Sequence, residues 1–258
     1  MGDEVVFEID KAVATITLNR PDAVNSFNEP LRQGLYHALT KVAADHSVRV
    51  VVLTGAGRCF SAGADLKAGF STGAEAETAL KERYKPSLVL IGEMDKPVIS
   101  AVHGFAAGIG LSFALSADLL VMGQSAYLLS PFSNIGLIPD GGQTWILPRE
   151  LGYRRAYQMA IENERMAAEK CLALGLANKV VADDQVLLET KRWAEELAVR
   201  APLALARTKR AMRAASVMSY SDTIDAEAEL QHSCIDSEDS SEGVAAFLEK
   251  RPPVFQGK

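Results

Sequence analysis

Apolar positions along the chain alternate between strand-like runs and helix-like spacing. Val5 to Leu18 is rich in β-branched and apolar residues and is broken at Asp10-Lys11, which predicts a hairpin. Leu31, Leu35, Ala38, Leu39 and Val42 recur at helical spacing and predict a helix over 28–44. Arg49 to Thr54 is a continuous apolar run, as expected of a strand covered on both faces. Pro97 to Val102 and Leu119 to Met122 repeat that pattern, with helices predicted over 79–93 and 111–117. Residues 67–78 are rich in Gly, Ala, Ser, Thr and Glu with weak periodicity, and read as a mobile surface segment. Strand, turn and helix follow one another, which predicts an α/β layered core.

After about residue 195 strand signals cease and Ala, Glu, Arg and Lys dominate. Pro202 suits the first turn of a helix over 203–216. Asp222 is the expected cap of a helix to about 233, and a last helix is expected over 242–250. The chain therefore divides into a core, 1–195, and a helical C-terminal region, 196–258.

Composition narrows the function classes. The 258 residues carry a formal net charge of -6, which speaks against a nucleic-acid partner. No apolar run reaches the roughly 18 residues of a membrane span, and the MGDEVVFEID start lacks the pattern of a secretory leader. Cys59, Cys171 and Cys234 have no metal spacing and read as free thiols of a reducing, cytoplasmic setting. Four scattered histidines make a His-based metal site unexpected.

Two glycine-bearing turns hold candidate chemistry. Gly55-Ala-Gly57 fails the dinucleotide fingerprint because Phe60 stands where its third glycine would be. Ala62-Gly63-Ala64-Asp65 then offers a close backbone approach at Gly63 and a free N–H at Ala64, or simply a turn with Asp65 as helix cap. His103 to Ser112 also follows a strand and precedes a helix, so the Ile109 N–H can face a pocket, or its glycines can serve helix packing. His103 reads as a turn residue rather than a base. Two such N–H groups sharing one oxygen would stabilise an oxyanion by about 3–4 kcal/mol per donor. Asp140, in Ile138-Pro139-Asp140-Gly141-Gly142, is either a turn or helix-cap residue or a catalytic carboxylate.

AGADLK (62–67) and GFAAGIGLSFALSAD (104–118) together resemble the crotonase superfamily, the enoyl-CoA hydratase/isomerase family. NRPDAVNSFN (19–28), GLIPDGGQTWILPRELG (136–152) and EGVAAFLEKRPPVFQG (242–257) are similar to its other segments in the family's order. The resemblance covers essentially the whole chain. It implies a spiral of repeated ββα units with a helical C-terminal trimerisation region, assembled as a homotrimer or dimer of trimers. It implies an acyl-CoA thioester as substrate, coenzyme A arriving as part of that substrate, and no metal or redox cofactor. Ala64 and Ile109 would supply oxyanion-hole N–H groups. Ala23, Val24, Ala62, Asp65 and Leu66 would lie along the coenzyme-A moiety, and Phe247 and Lys250 match tail positions that help cover its nucleotide end.

The family's hydratases use two glutamates, and here Ser112 and Phe132 occupy those places. Hydration needs one group to activate water and another to protonate carbon. In the family's isomerase-like branch an Asp at the place of Asp140 acts as base, and a proton shuttle on one dienolate needs only one carboxylate. Double-bond isomerisation is therefore the expected activity, with Phe132, Ile109 and Trp145 as expected apolar lining. The alternatives are a hydratase with relocated acid/base groups, a substitution or hydrolysis with Asp140 as nucleophile, and a non-catalytic acyl-CoA binder.

Overall fold

The computed structural model describes residues 4–68 and 72–258. The expected hairpin is β1 (Val5–Asp10) against β2 (Val13–Leu18), antiparallel about Lys11 in a left-handed conformation. Helix α1 (Glu29–Ala44) follows, and the Asn28 side chain caps it by accepting the Leu31 N–H. β3 (Val50–Gly55) pairs parallel with β2.

The 67–78 expectation is corrected over most of its length. Residues 66–68 form a 3-10 turn, and α2 (Gly73–Thr78) is a helix whose N-terminus is capped by the Thr72 hydroxyl. Residues 69–71 lie outside the described set. A π-helical turn, Ala79–Tyr84, then runs into α3 (Lys85–Glu93).

Two strand-and-helix units follow. They are β4 (Val98–Val102), β5 (Phe105–Ala107) and α4 (Ile109–Ser116), then β6 (Leu119–Gly123), β7 (Tyr127–Leu129), α5 (Gln143–Leu151) and α6 (Tyr153–Glu162). β8 (Met166–Ala167), α7 (Ala168–Ala173), β9 (Lys179–Val181) and α8 (Val186–Ala198) complete the strands and their helices.

The strands make two layers. The larger sheet has the order β1-β2-β3-β4-β6-β9, parallel except for β1. The smaller has the order β5-β7-β8, and single bridges continue it from Ala106 to Ser61 and from Ala64 to Phe27. Each of β2, β3, β4 and β6 thus leads to a short extended piece in the second layer and then to a helix. That repeat is the ββα spiral.

The continuous apolar runs are explained by burial on both faces. Val51 and Leu53 point into the main core with α1, whereas Val50 and Val52 point the other way, onto Val186, Ala194 and Ala198 of α8. In β4, Val98 and Val102 divide from Ile99 and Ala101 in the same manner.

Three helices close the chain: α9 (Pro202–Ala215), α10 (Tyr220–Ile235) and α11 (Glu238–Glu249). The cap of α10 is Ser219, which accepts the Asp222 N–H; Asp222 lies in the first turn rather than at the cap. α11 starts at Glu238, four residues before its expected start, because the Ser237 hydroxyl caps it. α9 is pinned to the core by ions: Lys209 Nζ sits 2.7 Å from Asp118, and Arg213 donates to the same carboxylate at 3.0 Å. Among the described residues no helix is long and apolar enough to cross a membrane.

Candidate active site

The first wall of the site is the loop after β2. Val24 and Asn25 both adopt left-handed conformations, which turn the chain sharply. Buried Asn25 holds that turn: its Oδ1 accepts the Arg20 N–H, and its Nδ2 donates to the carbonyls of Ala56 and Cys59, each at 2.8 Å. The Ala62 N–H donates to the Val24 carbonyl at 2.9 Å. Arg20 reaches across to Asp65 at 3.0 Å, while Asp65 Oδ1 accepts the Lys67 N–H. Ala23, Val24, Ala62, Asp65 and Leu66 are therefore brought together around two adjoining loops, and Leu66 is 68 % exposed.

The oxyanion candidates lie where the two glycine turns meet. Phe27 N–H donates to the Gly63 carbonyl and the Asp65 N–H donates to the Phe27 carbonyl. In such a parallel bridge the Ala64 N–H points away from Phe27, toward the β5 side. Gly63 has φ +101, and a Cβ there would lie 2.9 Å from the Ala107 carbonyl and 3.3 Å from Gly108 Cα. Only glycine permits that approach. Ala64 and Ile109 each follow one of these two facing glycines. Ile109 opens α4, so its N–H belongs to the unsatisfied, partially positive helix start.

Asp140 is held against the same helix start. Its backbone carbonyl accepts Ser112 Oγ at 3.0 Å and the Gln143 N–H at 3.2 Å. Gly141 packs so tightly that a Cβ would fall 2.4 Å from Ile109 Cδ1 and 2.7 Å from Ser112. The carboxylate itself does not cap α5: the N-cap is Gly142, with no side-chain cap bond. Asp140 Oδ1 is buried and has no hydrogen-bond partner among the described residues. Burial pushes the Asp140 pKa up to about 6.

Three residues that the sequence did not single out complete the surroundings. Gln143, fully buried, donates through Nε2 to the Gly108 carbonyl and to Ser112 Oγ, and accepts Ser130 Oγ at its Oε1, all at 2.8 Å. Tyr84, buried at the end of the π-helical turn, accepts Arg32 Nη1 at 3.1 Å and packs edge-on to Phe27. Burial raises the Tyr84 pKa, Arg32 opposes that, and the Asp140 charge adds to it. The sequence held a weak signal for Gln143, a polar residue directly after the Asp-Gly-Gly turn, but none for Tyr84 or Arg32.

The remaining expected residues fall in different settings. Phe132 and Ile109 are buried. Trp145 is 43 % exposed with the Arg149 guanidinium 4.0 Å over its ring. Phe247 is 82 % exposed and lines a groove between α9, α10 and α11, with Lys250 the left-handed residue that ends α11. His103 bonds the Gly57 carbonyl at 2.9 Å, a turn contact. Among the described residues no cluster of three or more His, Cys, Asp or Glu is placed to hold a metal ion.

The chain is similar to known proteins along nearly its whole length. The family model described as enoyl-CoA hydratase/isomerase matches residues 8–258. A Rhodobacter capsulatus protein named probable enoyl-CoA hydratase is 40% identical over 252 residues, 98% of this chain and 97% of its own. The 1,2-epoxyphenylacetyl-CoA isomerase of Escherichia coli K12 is 38% identical over 263 residues, covering 100% of both chains. The crystal structure of an enoyl-CoA hydratase subunit from Geobacillus kaustophilus superposes with a TM-score of 0.94 at 34% identity, covering 99% of this chain and 98% of the other. With these matches along nearly its full length, the chain belongs to the enoyl-CoA hydratase/isomerase family, the crotonase superfamily.

Proposed function

We propose that this protein moves a double bond within an acyl-CoA thioester, with Asp140 as the proton shuttle. The observation that carries the reading is a buried carboxylate oxygen without a partner, on a loop packed against Ile109. A carboxylate so desolvated is a stronger base than one in water.

The thioester oxygen would be held by the Ala64 and Ile109 N–H groups. Asp140 takes a proton from the carbon next to the carbonyl of a Δ3-enoyl thioester. The electron pair delocalises onto the thioester oxygen as a dienolate, whose negative charge those N–H groups stabilise. Asp140 then returns the proton to the γ carbon, which leaves the double bond conjugated with the carbonyl. Ser112 and Phe132 offer no second carboxylate, and this route needs none. Ala23, Val24, Ala62, Asp65 and Leu66 would run along the coenzyme-A moiety, in a cytoplasmic enzyme that needs no further cofactor. Residues 196–258 would form the oligomerisation region of a trimer or dimer of trimers, with Phe247 and Lys250 covering the nucleotide end.

Relatives carry both hydratase and isomerase names, so the assay must separate the two activities. Purified protein should raise conjugated-enoyl absorbance from a Δ3-enoyl-CoA and should hydrate crotonyl-CoA at least about a hundredfold more slowly than a two-carboxylate site would. Asp140→Asn should remove isomerisation and proton exchange with deuterated water together, by a factor on the order of 10²–10⁴, in kcat and kcat/KM alike. Wild-type exchange rates in that variant would reduce Asp140 to a turn residue. Efficient hydration by the wild type would establish a hydratase with relocated groups.

A further inference from the structure

The Gly108 carbonyl and the Ile109 N–H belong to one peptide unit. Its planarity makes them point in opposite directions, so whatever holds the carbonyl aims the N–H. Gly108 has φ +54 and ψ −134, a conformation in which the following peptide has unusual freedom to turn. The carbonyl accepts the Leu111 and Ser112 N–H groups at 3.0 and 3.4 Å, and Gln143 Nε2 at the shorter 2.8 Å.

The amide of Gln143 can face only one way. Ser130 Oγ donates to Oε1, which turns the two Nε2 protons toward Gly108 and Ser112. Ser112 Oγ, having accepted one of these hydrogen bonds, donates its own to the Asp140 backbone carbonyl. Gln143 also follows the Asp140-Gly141-Gly142 turn directly and opens α5.

We infer that Gln143 is a positioning residue for the reaction: it aims the Ile109 N–H by holding the Gly108 carbonyl, and through Ser112 it fixes the loop that carries Asp140. The inference rests on the reading of Ile109 as an oxyanion donor given above. As charge builds on the thioester oxygen, the Gly108 carbonyl becomes more negative and its bond from Gln143 strengthens, the cooperative behaviour of a chained hydrogen-bond network.

The test uses a saturated acyl-CoA labelled with carbon-13 at the thioester carbonyl. Infrared spectra of the bound label report polarisation of that carbonyl whether or not turnover occurs. Wild-type protein should lower its stretching frequency. Gln143→Met keeps the length but not the donor. It should lose part of the shift, because the Ala64 N–H still donates, and lower kcat about tenfold to a hundredfold, less than outright loss of an oxyanion donor, with little change in the dissociation constant. Ser112→Ala cuts the link to Asp140 but not the Gly108 bond, and should keep the shift.

An unchanged shift and kcat in Gln143→Met would overturn the inference, as would weakened binding with normal kcat. Equal loss of the shift in Ser112→Ala would overturn it too, because the effect would then run through Ser112. Should Gln143→Met not fold, Ser130→Ala frees the carbonyl end of Gln143 and must reduce the shift; no reduction there overturns the inference. A wild-type protein that binds the label without any shift would instead refute the oxyanion reading from which the inference starts.

Discussion

At the scale of single residues, Asp140 carries a conflict between stability and chemistry. Its pKa of about 6 lies above the ordinary 3.8, so the folded protein binds more protons than the unfolded chain between those values. Its contribution to stability is therefore lost as pH rises from about 4 to about 6, by up to roughly 3 kcal/mol. Asp140→Asn should consequently melt a few degrees higher than wild type at pH 8, with the gap closing near pH 4. Calorimetry across that range checks the sign. Activity runs the opposite way: kcat/KM should rise with pH and level off above about 6, as the carboxylate forms. Asp140 could be named as a candidate from the sequence because a carboxylate between Pro139 and two glycines lies in a segment that resembles the family's. Gln143 and Tyr84 could not, because a buried side chain declares its role only through partners, and Ser130, Gly108 and Arg32 lie far away in sequence.

At the scale of elements, the site depends on how closely the α4 start and the Asp140 loop pack. A methyl group at Gly141 would collide with Ile109 Cδ1, and the φ of +59 disfavours any side chain there. Gly141→Ala should cost about 1–3 kcal/mol and reduce activity. Adding Ile109→Val, which deletes the colliding methyl but keeps the N–H, should recover part of both losses. A double-mutant cycle with no coupling would show that the two elements do not share this contact. α9 depends on a different contact. Lys209 is largely buried and its pKa is lowered by that burial, which the Asp118 carboxylate opposes. Asp118→Ala would strand that charge and should destabilise by about 3–5 kcal/mol in urea unfolding. α1 and the buried strands β3, β4 and β6 were readable from the apolar pattern, whereas α6 and α8 were not predicted. β5, β7, β8 and β9 were not, since two or three residues are too few to show a period.

For the whole molecule, the C-terminal helices leave an apolar groove of about 970 Å³ between α9, α10 and α11, with Met212, Val244, Phe247 and Leu248 on its walls. These four exposed apolar side chains need cover from water, and a second copy of the chain would supply it. Sedimentation at micromolar concentration should therefore find a trimer or a dimer of trimers. Phe247→Glu should shift it toward the monomer, and a wild-type monomer would refute the assembly.

The sequence by itself determined the alternation of buried strands with helices, the helical C-terminal region and the family motifs, because each is written in local spacing and residue type. Only the tertiary structure decided which atoms meet. Gly63 and Gly108 face one another because the 61–64 segment pairs with β5 through Ser61 and Ala106. The Asp140 loop is seated on the α4 start because Gly141 packs against Ile109 and Ser112 and the Asp140 backbone carbonyl accepts Ser112 Oγ. Periodicity fixes which face of an element is apolar; desolvation and the direction of a peptide N–H depend on neighbours that folding brings from elsewhere in the chain.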